Sequence, residues 1–319
     1  MTTIGTDPEF MLEKNDKIFS AINILKKSKD NRKKIQKCFF YYDNVLAECT
    51  VIPADNKESF LINVKNSLEL YSNLVKPYNL RTISAHIFDV DQLDCPEAFE
   101  ISCVPEICAY SLDEITTDPS VFLESNLRTA GGHIHIGDKH LVNNEYNPIY
   151  CIKMMDLFLG TISLFLDEDP TALQRKQLYG KAGRFRFTKY GVEYRSLGNF
   201  WLNSPELAGL IFDVSCFVSN FIKEQKHFEY WSIDYEKLKD PNSWKDRNFN
   251  PKDCHFCFGY DSNRLIELIN SHDNKSDDAL KFLKFIYDIL PKNIVNDLNL
   301  LMNKEYDDNI IKNWSINVK

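Results

Sequence analysis

The sequence predicts an α+β fold: one β-sheet with helices on its apolar face, a chemically loaded polar face, and a helical C-terminal third. Two observations carry this. Five short segments alternate polar and apolar residues with the period of a strand, and their polar positions hold Asp, Glu, His and Arg. Beyond about Asn203 that alternation stops and helical periodicity takes over.

The first segment, Gly5–Leu12, sets Asp7 and Glu9 on one face with Phe10 and Leu12 opposite. Asn44–Glu48 sets Glu48 against Val45 and Ala47, and Gly132–Gly137 sets His133 and His135 against Ile134 and Ile136. Arg184–Phe187 repeats the design with Arg184 and Arg186, and Val192–Arg195 with Glu193 and Arg195. A single such segment is what any half-solvated strand shows. Five of them, flanked by Gly5, Gly131, Gly132, Gly137, Gly183 and Gly191, point to one functional surface.

Helices are expected over Lys57–Val75, capped by Asp55 or Asn56, and from Pro148 to about Asp167. Ser204-Pro205-Glu206 combines an N-cap, a first-turn proline and an acid at the positive end of the helix dipole, and so opens a third. Further helices are expected near Asn263–Ser271, Asp277–Leu290 and Asn293–Lys304. Lys26–Lys37 reads as a solvated loop or hairpin tip, and Asp240–Cys257 as a long irregular excursion.

Composition narrows the function classes. The chain has 319 residues, 44% apolar and 26% charged, with a net charge of −8. These values exclude a disordered, collagen-like or coiled-coil chain and disfavour a generally basic nucleic-acid coat. Met1–Asp7 lacks the basic and apolar regions of a secretory signal, and polar residues interrupt the apolar stretch Leu207–Ile222, so no membrane span is expected. Nine scattered cysteines suggest reduced thiols and a cytoplasmic setting. Cys254 and Cys257 have CxxC spacing but no second pair to complete a zinc site.

Carboxylates with one or two imidazoles and no thiolate favour Mg²⁺ or Mn²⁺. Arginines beside such a metal fit phosphate, and acid, metal and arginine together suggest a nucleoside triphosphate on an open sheet face. No P-loop or dinucleotide fingerprint is present. A second reading of His-x-His with a carboxylate is a metal-dependent oxygenase or hydrolase, which leaves the arginines unexplained. A third is an interaction protein with an idle site.

Five stretches, Gly5–Phe10, Asp43–Glu48, Arg128–Gly137, Tyr179–Arg186 and Tyr190–Arg195, resemble the phage-type amidoligases. These are ATP-dependent carboxylate–amine ligases distantly related to glutamine synthetase and glutamate–cysteine ligase. The resemblance implies a glutamine-synthetase-like curled antiparallel sheet with metals and ATP on its concave side. It implies a catalytic core over residues 1–203, with residues 204–319 packed on it as part of one domain. Residue by residue, it implies Glu9, Glu48, His133 or His135, and Glu193 as metal ligands. Arg186 and Arg195 would act on the transferring phosphate, with Lys181 and Arg128 as further ATP contacts. Asp7 is a candidate base, and Arg184 stands where a local surface charge would serve as well. The reaction would join a carboxylate and an amine, from a small molecule, a peptide or a modified nucleobase, in the cytoplasm of a host cell if the chain is phage-encoded.

Overall fold

A computed structural model describes residues 1–99, 105–116, 125–226, 262–304, 306 and 309–318. Its strands are β1 (Thr3–Thr6), β2 (Glu9–Lys14), β3 (Lys17–Phe19), β4 (Lys33–Ile35), β5 (Cys38–Asp43), β6 (Leu46–Ala54) and β7 (Asn79–Arg81), then β8 (Ala85–Ile87), β9 (Glu106–Cys108), β10 (Glu114–Ile115), β11 (Leu127–Thr129), β12 (Ile134–Gly137), β13 (Arg184–Thr188) and β14 (Gly191–Tyr194). Twelve of them form one open antiparallel sheet whose main path runs β10-β9-β13-β14-β12-β1-β6-β2-β3. β5 pairs with β6 and β4, β7 pairs with β2, and β8 with β11 makes a separate ribbon.

The expected strand Gly5–Leu12 is two strands. The chain leaves the sheet at Asp7-Pro8, because proline has no N–H for a ladder, and re-enters as β2. β1 then lies between β12 and β6, while β2 lies on the far side of β6. Lys26–Lys37, read as a solvated loop or hairpin tip, contains a 3₁₀ turn at Lys29–Asn31 and strand β4, which makes a hairpin with β5 in register at Lys33–Phe40 and Ile35–Cys38.

Helix Lys57–Leu74 starts where the sequence indicates, with the Asn56 side chain accepting from the Ser59 N–H. The second helix begins at Tyr146, two residues before Pro148, and runs to Leu166 through one π-helical segment at Asp156–Gly160. Ser204 caps helix Pro205–Lys223 through the Leu207 N–H. Helices Ser262–Ser271, Asp277–Ile289 and Lys292–Met302 follow.

Lys57–Leu74, Tyr146–Leu166 and Pro205–Lys223 cover the apolar face of the sheet, and the later helices pack behind them. A single core cluster runs from Ile4 through Ile134, Ile136, Val192 and Tyr194 to Leu298 and Ile316, on both sides of residue 203. Among the described residues two helices, Tyr146–Leu166 and Pro205–Lys223, are long and apolar enough to cross a membrane, but 89% and 67% of their most apolar windows are buried inside the protein. Core packing therefore accounts for their composition. Cys38, Cys49, Cys95, Cys108, Cys151 and Cys216 are free thiols. Cys254, Cys257 and the excursion Asp240–Cys257 lie outside the described residues.

Candidate active site

The side chains that face away from the core helices converge into two adjoining clusters. In the first, the register sets Gly5 opposite His135, and His135 opposite Glu193. Asp7, just past β1, brings Oδ1 to 3.0 Å from His135 Nε2 and 3.4 Å from His133 Nδ1. His133 Nδ1 lies 3.7 Å from Glu193 Oε1. Asp7 Oδ1, His133 Nε2 and His135 Nε2 are buried, and none makes a hydrogen bond of acceptable geometry. Close approach without hydrogen-bond alignment is how ligands gather about a shared cation. His135 is oriented by its other ring nitrogen, Nδ1, 2.6 Å from the Tyr190 hydroxyl.

In the second cluster Glu9 and Glu48 are direct cross-strand partners, and Asp43 closes the group from the end of β5. The Gly131 N–H donates to Glu9 Oε2 at 2.6 Å, and the Tyr41 hydroxyl donates to Glu48 Oε1 at 2.7 Å. Lys29 reaches in from its turn, with Nζ 2.5 Å from Asp43 Oδ2 and 3.7 Å from Glu48 Oε2. Among the described residues, Asp7–His135–Glu193 and Glu9–Asp43–Glu48 are the two groups that could hold a metal ion. Both are oxygen-rich and free of thiolate, which fits a hard divalent cation.

Electrostatics divide the groups. Burial and the neighbouring Asp43 push the Glu9 carboxyl up to about 7, and burial with Asp7 pushes Glu193 up to about 7. Burial also raises Glu48 against the opposing pull of Lys29. Burial would raise Asp7 too, but His135 and His133 together outweigh it and hold Asp7 well below the usual carboxylate range. Burial and Arg195 pull His133 down to about 3, whereas Asp7 overrides burial to raise His135. Packed carboxylates that would rather hold protons lower that cost when a cation arrives.

Arginines frame the first cluster. Arg195 donates from one guanidinium nitrogen to Glu193, while its Nε lies 3.2 Å from Glu106 Oε2 and its Cζ 4.9 Å from the Tyr179 ring centroid. Arg186 NH1 lies 3.6 Å from Glu193 Oε1. A cleft of about 480 Å³ opens over this face, lined among others by Asp7, Lys29, Arg32, Tyr41, His135 and Arg186.

Other residues singled out in the sequence fall elsewhere. Arg184 faces Glu106 at 3.6 Å. The buried Arg128 gives its guanidinium to the carbonyls of Ala98, Ser125 and Leu127 and to the Asn44 side chain. That makes it a brace for the Asp43-Asn44 turn, a different task from the phosphate contact the resemblance implies. Lys181 is exposed, and its carbonyl accepts from Ser196.

Sequence reasoning missed Lys29, Asp43, Glu106 and Arg175. Arg175 is buried and donates to the carbonyls of Ala130, Ser196 and Arg195, so it ties the glycine turn that holds Glu9 to the end of β14. Gly180, at φ +73°, is required beside it: a Cβ there would lie 1.7 Å from Arg175 NH1. Nothing in a helical Gln-Arg-Lys run announces such a role. Asp43, by contrast, stands inside a motif that was already visible.

Residues 126–239 match the family model described as phage phiEco32-like COOH.NH2 ligase-type 2. The match spans just over a third of the chain. It includes His133, His135, Arg186, Glu193 and Arg195, and it bears out the resemblance read from the motifs. The ligase family implies an enzyme that forms C–N bonds. Asp7, Glu9, Asp43 and Glu48 lie before the matched stretch, and the sheet register brings them to it. No curated protein matches the chain.

Proposed function

We propose that the protein is an ATP-dependent carboxylate–amine ligase that works through an acyl phosphate, on a glutamine-synthetase-like sheet. One observation carries the reading: Asp7 and His135 of one cation-fitting cluster line a cleft together with Arg186, and Arg195 pairs with Glu193 of that same cluster. A carboxylate resists amine attack because oxide is a poor leaving group. Phosphorylation of one carboxylate oxygen by ATP releases ADP, and the amine then displaces phosphate from the acyl carbon.

Bound Mg²⁺ or Mn²⁺ would neutralise triphosphate charge. Asp7, His135 and Glu193 would hold one cation, with His133 beside them, and Glu9, Asp43 and Glu48 a second. Arg195, fixed by Glu106 and Tyr179, directs its fork towards the side of the strand where Glu193 sits. With Arg186 it would stabilise the phosphoryl group in transit, since planar donors match phosphate oxygens. Asp7, the candidate base, is held ionised by its histidines, which suits it to ligate the first cation and makes it a weak acceptor for the amine proton.

The test is thermal stabilisation by ATP. Stabilisation that requires Mg²⁺ and is lost in Glu193→Gln supports the reading; ATP binding indifferent to both Mg²⁺ and Glu193 refutes it. Screening pooled carboxylates and amines for ADP release would then identify the substrates.

A further inference from the structure

Lys29 stands where nothing in the proposed chemistry needs it. Its ammonium sits among carboxylates from β5 and β6, yet the turn that carries it belongs to a surface hairpin. That hairpin is pinned on both sides of Lys29. The Tyr42 N–H donates to the Lys27 carbonyl at 2.8 Å, and β4 pairs with β5. The Lys29 carbonyl is held by Arg32 Nε at 2.8 Å, and the Arg32 guanidinium lies 4.6 Å from the Tyr41 ring centroid. The backbone is therefore fixed, and the freedom lies in the four-carbon stem of Lys29.

A second observation concerns Glu48. Its side chain is 2% exposed, and its Oε2 has no hydrogen bond; the nearest cation, Lys29 Nζ, is 3.7 Å away. Lys29 thus bonds well to Asp43 and only loosely to the deepest carboxylate. Lys29 and Arg32 also line the cleft beside Arg186.

We propose that Lys29 is a resident counter-cation for Glu9, Asp43 and Glu48, that a divalent cation displaces it, and that the displaced ammonium swings into the cleft to join Arg32 and Arg186 in binding phosphate. This rests on the proposed function, in which that cluster takes a divalent cation. A cation ligated by Asp43 and Glu48 would need the oxygens that Lys29 now contacts, and two positive charges so close repel. Loading the site would thereby move a positive charge to where the triphosphate arrives, so cation binding precedes and favours phosphate binding.

The experiment uses the full chain without nucleotide. Lys29 acylation by an amine-reactive reagent is followed by mass spectrometry with and without saturating Mn²⁺, with exposed Lys284 as internal control. Mn²⁺ affinity is measured by calorimetry on wild type and Lys29→Met. Lys29 labelling should rise several-fold with Mn²⁺ while Lys284 stays unchanged, and Lys29→Met should bind Mn²⁺ about tenfold tighter through the removed repulsion. Mn²⁺ binding that leaves Lys29 labelling unchanged overturns the displacement alone and leaves the cation site standing. A chain that binds no Mn²⁺, as wild type or variant, overturns both.

Discussion

The two clusters lie on one sheet face, yet they are built differently. Asp7–His135–Glu193 is framed by Arg186 and by Arg195, whose fork is clamped by Glu106 and Tyr179, and it is braced from behind. The strand residue between Glu193 and Arg195, Tyr194, points into the core and donates its hydroxyl to Asp156 at 2.7 Å, at the start of the π-helical segment. Glu9–Asp43–Glu48 has no imidazole, and its cation is a lysine on a flexible stem. A rigid planar cation suits a group that must hold its geometry through a reaction, and a flexible point charge suits one that must yield.

The largest expected effect tests Arg175, which ties the glycine turn over Glu9 to the end of the strand carrying Glu193. Arg175→Met should cost about 3–5 kcal/mol in urea unfolding, because it strands the buried carbonyls of Ala130, Ser196 and Arg195. If it unfolds no more easily than wild type, Arg175 does not brace the junction between the Glu9 turn and the end of β14.

Next is the pH behaviour of Asp156, which burial pushes up to about 6 from 3.8 although the Tyr194 hydroxyl pulls the other way. A raised carboxyl binds its proton more tightly in the folded state, so its contribution to stability falls as pH climbs from 3.8 to about 6 and is then level. Asp156→Asn keeps an acceptor for Tyr194 but removes the titration. Its stability relative to wild type should improve by about 2 kcal/mol between pH 4 and pH 7.5. A flat difference across that range would mean that the carboxyl is not desolvated.

Arg195→Lys should fold with a near-normal Tm, still bind Mg²⁺, and lose about 100-fold in ATP turnover, because an ammonium cannot serve Glu106, Glu193 and a phosphate at once. Near-normal turnover, with the Ala variant losing stability before activity, would reduce Arg195 to a sheet clamp. The smallest effect concerns the flexible cluster. Asp43→Asn should weaken one class of Mn²⁺ site about tenfold and leave the other unchanged, as counted by calorimetry. Equal weakening of both classes would merge the two clusters into one.

Strand alternation and helix caps were legible wherever one residue decides the outcome: Asn56 and Ser204 cap as read, and Ile134 and Ile136 bury as read. The division of the acids was not. Asp7 and Glu9 share a face if the strand is continuous, but Pro8 breaks it, and the two side chains go to different clusters. Lys29 was hidden because a Lys- and Asp-rich run looks solvated until its partner strand is known. Arg128 and Arg175 show the converse limit: a guanidinium that binds carbonyls and one that binds phosphate are spelled alike.

The pairing of β1 with β12 has a consequence for how the chain could be divided. Asp7, Glu9, Asp43 and Glu48 precede residue 100, and His133, His135, Arg186, Glu193 and Arg195 follow it. The four-residue ladder Thr3–Gly137 to Thr6–Ile134 and the Gly131 N–H on Glu9 stitch these halves together. The Asp7–His135–Glu193 cluster therefore exists only where the two halves of the chain meet, whereas Glu9, Asp43 and Glu48 come from the first half alone.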